Sequence, residues 1–384
     1  MPKKKEVELS REDKIGKICK SINDGEFGGD KKDAVTWCGS RDVISIERFP
    51  SGDSELDKAL GGGWPRGRMV EVFGPESGGK STICYHAIAE FQKKYPNENV
   101  GLIDTEYTFD EEYARVVGID TQWLIVCQPD KGTQALNVMS QLIKMGVKLI
   151  LVDSLAGLTT DKELNGNLGD IQVAEQARMM SPALRRLNNE AGRFGVTIFW
   201  TNQVRALIGK TWGDKSTTPG GQALKFYASI RCAIRRISTQ KETVNGEENV
   251  AIANKVRVDV KKNKTAAPFK KAEFYITFGR GIDPIVSIFD AALKYKVIIQ
   301  KGSWFSFNGE QIGQGRASCL LFLEDNPDIL AILKQKVQDL GIKKMPVEGD
   351  FKPNPELNSE PKTKVDFKRP SGDKTPKKVE VIDV

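Results

Sequence analysis

The sequence predicts an α/β fold built on a mainly parallel, twisted sheet, and three observations carry that prediction. From about residue 68 to 290, apolar runs of strand length alternate with stretches of helical periodicity. The segment GPESGGKS (74–81) stands between the first of those strands and the first of those helices, where a phosphate-binding loop belongs. Three further runs, 229–237, 256–262 and 272–278, follow one another without long helices, which predicts an antiparallel or mixed extension of the sheet.

Taken in order, residues 1–9 are charged and read as disordered. Residues 10–24 put Ile15, Ile18, Cys19 and Ile22 on one helical face, with Ser10 as N-cap and Asp13 three residues on. One short helix cannot bury that face alone, so it must dock on the core or on another subunit. Residues 25–70 read as a connecting region. The expected strands are 68–74, 99–106, 123–128, 148–154 and 196–203, and the expected helices are 80–95, 111–118, 132–146 and 173–195. Buried strands alternating with helices imply a parallel sheet covered on both faces. Residues 285–340 read as a small α/β domain. Residues 350–384 hold five prolines and few apolar side chains, the composition of a disordered tail.

Composition narrows the chemistry. The six cysteines show no CxxC pairing and the only histidine is His86, which argues against a zinc site or a Ser/His/Asp triad. His86 falls on the helix after the phosphate loop and is expected to do no chemistry of its own. A net charge of +7 permits a polyanionic partner without demonstrating one. No apolar run approaches the roughly 20 residues needed to span a bilayer, and MPKKKEVELS has no apolar stretch behind its lysines. The expectation is a cytoplasmic protein with no membrane partner.

The motifs point to ATP. In Gly74, Pro75, Glu76, Ser77, Gly78, Gly79, Lys80, Ser81 and Thr82, the glycines let backbone N–H groups turn toward phosphates at a helix N-terminus. Lys80 should reach the β and γ phosphates, and Ser81 should ligate Mg²⁺. LILVDS (149–154) ends in Asp153, the second Mg²⁺ element. LIDTE (102–106) is another strand ending in acids, and Glu106 is the candidate general base for an attacking water. TNQVR (201–205) places Gln203 at a strand tip as a γ-phosphate sensor. The following segment, 204–221, carries Arg205, Lys210, Trp212 and Lys215 in a Gly- and Thr-rich loop. Basic residues beside an aromatic suit a nucleic-acid strand, and they equally suit an ordinary surface loop.

GPESGGKST, LIDTEYTFD, ILVDS, ARMMS, NQVR, TTPGGQALKFYAS, KNKTAAPFKKAEF and GSWFSFNGEQIGQG occur in one order. Over about residues 45–335 the chain resembles the RecA family of bacterial and phage recombinases. The resemblance implies a RecA-type P-loop ATPase core (45–284) preceded by an N-terminal arm (1–44) with a polymerisation helix, then a small C-terminal α/β domain (285–345) and a disordered tail (346–384). It also implies ATP-dependent assembly of a homo-oligomeric helical filament on single-stranded DNA, pairing with double-stranded DNA, and strand exchange. Lys80, Ser81, Thr82 and Asp153 would serve ATP and Mg²⁺. Glu106 matches the catalytic glutamate, and Asp110 and Tyr113 match positions that contact adenine. Gln203 matches the link from the γ-phosphate to the DNA loop. Loops near 163–173 and 204–218 match the DNA-binding loops, with Arg178, Arg205, Gly220 and Gly221 at matching positions. Lys262 and Lys264 match lysines that reach the neighbouring subunit's γ-phosphate.

Trp212 stands where the family usually has Phe, and Phe278 where Tyr is usual, so a hydroxyl contact near adenine is lost. The stretch 170–176 departs from the common pattern. The tail carries eight basic and seven acidic side chains over 350–384, where the family's is typically acidic, so its self-competition with DNA should be weak. The rivals are a ring helicase, a filament regulator without turnover and a small-molecule kinase. The KNK and GGQALKFYAS segments speak against the first, intact Lys80, Asp153 and Glu106 against the second, and DNA-independent turnover would favour the third.

Overall fold

The computed structural model describes residues 10–24, 35, 37, 46–165, 175–206, 216–244 and 247–343. The described residues through Ile342 belong to one compact unit, the first along the chain. The tail at 350–384, Lys210, Trp212 and Lys215 lie outside the described residues.

An eight-stranded sheet organises the first unit: β1 (Met69–Gly74), β2 (Val100–Asp104), β3 (Leu124–Cys127), β4 (Leu149–Asp153), β5 (Thr197–Gln203), β6 (Ile230–Val244), β7 (Glu247–Asn263) and β8 (Lys271–Thr277). Their spatial order is β8-β7-β6-β1-β5-β4-β2-β3. The run from β6 across to β3 is parallel, and β7 pairs antiparallel with both β6 and β8. Strands β2 and β4 are buried along their whole length, as strands covered on both faces must be. One core packs around Phe49, Trp64, Ile88, Phe91 and Phe199 on one side of the sheet, and another around Ile150, Leu184, Ile198 and Trp200 on the other.

The strands β6 and β7 run well past the expected 229–237 and 256–262. Only Ile230–Ala233 pair with β1, and Ala253–Asp259 with β8. Beyond those stretches the two strands pair only with each other, and Arg235–Ser238 and Glu248–Asn249 are exposed, so no strong apolar periodicity marks the outer half.

The helix Arg11–Asp24 buries none of its residues, and Ile18 is 58% exposed. Its start is a capping arrangement: the Asp13 amide donates to Ser10 Oγ at 3.1 Å, and that hydroxyl donates to Asp13 Oδ2 at 2.7 Å. Residues 284–343 add a three-stranded antiparallel sheet, order 298–301, 304–307, 310–314, packed on helices Pro284–Lys294, Arg316–Asp325 and Pro327–Lys343. A separate cluster that includes Phe289, Phe305, Leu323 and Leu333 forms its core. The described cysteines are free. Among the described residues no helix is long and apolar enough to cross a membrane.

Candidate functional site

Four strand tips converge at one edge of the sheet. Gly74 ends β1 and is the Cα partner of Gln203 at the end of β5, and Asp104 of β2 is the partner of Asp153 of β4. The loop after β1 enters the helix Lys80–Lys94 through Gly79, a left-handed N-cap with φ of 91° and no side-chain cap. The first amides of that helix are therefore left for an anion. Glycine is required on steric grounds: a Cβ on Gly74 would lie 2.1 Å from the Ile234 carbonyl oxygen, and one on Gly79 would lie 2.4 Å from Ile276 Cδ1. Pro75, Glu76 and Ser77 are exposed, and Gly78 is buried. The Lys80 ammonium donates to the Pro75 carbonyl at 2.9 Å, folded back over the loop. Burial lowers its pKa, and Asp153, Glu106 and Glu76 oppose that shift.

Asp153 is 7% exposed. It accepts from Thr201 Oγ1 at 2.5 Å. Burial raises its pKa, hydrogen bonds from Thr201 and Ser81 pull it back, and Glu106 and Asp104 push it further up. A cation here would relieve that repulsion. Among the described residues no three His, Cys, Asp or Glu could hold a metal by themselves. The hydroxyl and carboxylate oxygens of Ser81 and Asp153 suit Mg²⁺, whose remaining ligands would have to come from phosphate and water.

Glu106 is exposed, and its Oε1 accepts a hydrogen bond from Ser154 Oγ. Its backbone is fixed by Asp104, which accepts from the amides of Glu106, Thr108 and Phe109 at 3.2, 3.3 and 3.1 Å and from Gln128 Nε2 at 2.9 Å. Thr105 Oγ1 binds Ser154 twice, donating to its carbonyl at 2.6 Å and accepting from its amide at 2.9 Å. Tyr113 OH lies 3.1 Å from Thr82 Oγ1. Asp110 caps the helix Glu111–Val117 by accepting from the Tyr113 amide at 3.0 Å, so one of its oxygens is already engaged. Sequence reasoning missed Asp104, Ser154 and Thr201. Each lies within two residues of one it singled out, and only the folded chain reveals the contact.

The loop after Gln203 is rooted by Arg205 pairing with Thr217. Gly220 and Gly221 adopt positive φ of 81° and 75°. A Cβ on either would sit 2.5 Å from Leu155 Cδ2 or 2.9 Å from Ala177 Cβ. Their smallness thus has a packing cause. Arg178, on the first turn of helix Glu175–Phe194, pairs with Glu175 at 3.0 Å, and its side chain is 74% exposed.

Lys262 and Lys264 are not gathered at this edge. The Lys264 amide donates to the Ser229 carbonyl, and the Ser229 amide to the Met69 carbonyl, at the start of β1. Five strand steps separate Met69 from Gly74, about 16 Å at about 3.3 Å per residue. Lys262 Nζ donates to the carbonyls of Lys225 at 2.6 Å and Phe226 at 3.0 Å, and Lys264 Nζ to that of Phe226 at 3.2 Å.

The RecA N-terminal domain model matches residues 15–283, and the RecA C-terminal domain model matches residues 286–340. The chain is 45% identical over 309 residues to Protein RecA of Picosynechococcus sp., covering 80% of this chain and 87% of that one. It is 45% identical over 314 residues to Protein RecA of Corynebacterium aurimucosum, covering 81% of each. Protein RecA of Prochlorococcus marinus matches at 42% over 342 residues, 86% of this chain and 88% of its own length. With two domain models matching nearly end to end and these identities, the chain belongs to the RecA family, the DNA-dependent ATPases of homologous recombination and DNA repair.

Proposed function

We propose that ATP is held by Gly74–Thr82 and hydrolysed at the interface between successive subunits of a filament on single-stranded DNA, which then pairs with and exchanges strands with double-stranded DNA in the cytoplasm. The observation that carries this is the pairing of Gly74 with Gln203. It sets the phosphate loop beside the strand that leads into the loop 204–218, so a γ-phosphate contact at Gln203 passes directly to the DNA-binding segment.

In this scheme Lys80 turns from the Pro75 carbonyl to the β and γ phosphates. Ser81 and Asp153 hold Mg²⁺, which supplies neutralisation of the charge on the β and γ oxygens. Glu106, oriented by Ser154 and by the Asp104-bound loop, accepts the proton of the attacking water. Tyr113 and Asp110 flank the base. Arg178, Arg205, Lys210 and Trp212 contact the DNA strand, while Gly220 and Gly221 let the loop root pack closely. Lys262 and Lys264 lie too far from their own subunit's loop to serve it, which supports their action on the neighbour's γ-phosphate. The separate apolar cluster around Phe289 supports treating 285–345 as a small domain apart from the core at 45–284.

ATP hydrolysis with and without single-stranded DNA, on wild type and Glu106→Gln, with electron microscopy of the same samples, tests this. Strong stimulation, long filaments and loss of turnover in the variant are expected. DNA-independent turnover or closed rings would overturn it.

A further inference from the structure

Midway along β1, between the phosphate loop and the lysine pair, lies a buried polar cluster that none of these roles uses. Glu71 and Asn202 are both 0% exposed. Asn202 Nδ2 donates to Glu71 Oε1 at 3.1 Å and to the Pro219 carbonyl at 3.2 Å. Both partners only accept, so the orientation of the amide is fixed. Arg231, whose side chain is 16% exposed, donates through Nε to the other Glu71 oxygen, and its guanidinium lies 4.6 Å from the centre of the Phe73 ring. Arg231 is the Cα partner of Glu71 on one side and of Lys262 on the other.

This cluster touches three things at once. Asn202 is the residue before Gln203. Pro219 is the residue before Gly220, at the root of the loop. Lys262 and Lys264 bind the carbonyls at the end of the helix Ala223–Tyr227, which starts just beyond Gly221. The stretch from Pro219 to Tyr227 is thus held at one end by Asn202 and at the other by the lysines. Asn202 Oδ1 is buried and meets no donor among the described residues. An unmet buried acceptor is a cost that a second arrangement of the cluster can remove.

We infer that Glu71 is a positioning residue that couples DNA to the subunit interface. With Asn202 and Arg231 it forms a joint that ties the strand tip at Gln203, the loop root at Pro219 and the strand carrying Lys262 into one moving part. When Lys262 and Lys264 leave their own carbonyls for a neighbour's phosphate, the helix Ala223–Tyr227 loses its far anchor. Pro219 stays tied to the strand tip, so the loop root shifts with the nucleotide state. This rests on the roles of Gln203, Lys262 and Lys264 given above.

Glu71→Gln keeps the shape and the acceptor for Asn202 but removes the charge that holds Arg231. The expected result is unchanged affinity for an ATP analogue and a fall of about tenfold in the ratio of hydrolysis with to without single-stranded DNA, within the usual range of coupling between sites. Arg231→Gln is expected to give the same fall, and the double variant no further fall, because the two act in series. A cluster that only stabilises the fold would lower the melting temperature and leave the ratio intact. That result in any folded variant, or additive losses in the double, would overturn the inference. If Glu71→Gln does not fold, Arg231→Gln alone decides through the same ratio. Unstimulated wild type, or normal turnover in Lys264→Ala, would instead strike the roles beneath it. A stimulated wild type and a defective Lys264→Ala beside a normal Glu71→Gln would strike the joint alone.

Discussion

Lys264 sits at the start of β1 with its ammonium on the Phe226 carbonyl, and its own phosphate loop is out of reach. A cation offered across a subunit boundary is worth on the order of 10³–10⁵ in rate in other phosphoryl-transfer enzymes. Lys264→Ala is therefore expected to bind ATP normally and to lose DNA-stimulated hydrolysis; near-normal turnover would remove it from the mechanism. Lys80, Asp153 and Gln203 were legible as candidates because their spacing along a strand or loop is itself the signal. Asp104 and Glu71 were not. An acid inside or at the end of an apolar strand reads as one more buried position until its partners are known: those of Glu71 are Asn202 and Arg231, far along the chain, and those of Asp104 are the amides of the loop that follows it and Gln128. Lys262 shows the same limit in part: burial together with Lys264 and Arg231 brings its pKa down to about 8, and of those neighbours Arg231 comes beside it only through strand pairing.

At the scale of elements, the helix after the phosphate loop does more than present Lys80 and Ser81. His86, one turn beyond Thr82, accepts the Ile282 amide on Nε2 at 2.7 Å. It is wedged between two glycine turns: a Cβ on Gly281 would come within 2.5 Å of Nε2, and one on Gly52 within 3.2 Å of the His86 Cβ. Where the sequence led to no expected chemistry at His86, the structure gives it a structural job that the sequence did not reveal. The ring fastens the turn carrying Phe278 to the nucleotide helix. Burial, then Lys93, lowers its pKa to about 4. An unfolded histidine titrates near 6.5, so between about pH 6.5 and 4 the unfolded chain binds the extra proton. The stabilisation from neutral His86 is full above that window and is lost as pH falls through it, on the order of 2 kcal/mol. Asp53 and Asp57, raised by burial to about 7 and about 6, act with the opposite sign, losing their contribution as pH rises. The test is therefore a difference. His86→Gln, which keeps an acceptor in place, should lose less stability than wild type between about pH 7 and pH 5 in denaturant titrations. Equal losses would mean that the ring titrates normally. The regular elements were legible because their apolar periodicity is strong. The outer half of the β6–β7 hairpin was not, because strands that pair only with each other and bury little carry no such strong pattern.

For the whole molecule, strand order matters more than strand content. The helix Arg11–Asp24, with no buried residue of its own, agrees with an arm whose partner lies outside the chain. The site itself is assembled from far-separated parts: β1 is flanked by β5 and β6, and the contact between Glu71 and Asn202 spans 131 residues. A growing polypeptide emerges from the ribosome in order, and pairings this distant form late. When Gly74–Thr82 has emerged, neither neighbour of its strand yet exists. ATP is therefore expected not to template the first half of synthesis, and a messenger cut short before β5 should yield a chain blind to nucleotide. Stalled nascent chains ending at about residue 195 should not bind a fluorescent ATP analogue, whereas chains extended past β8 should. Binding by the shorter ones would show that the loop forms without its neighbours.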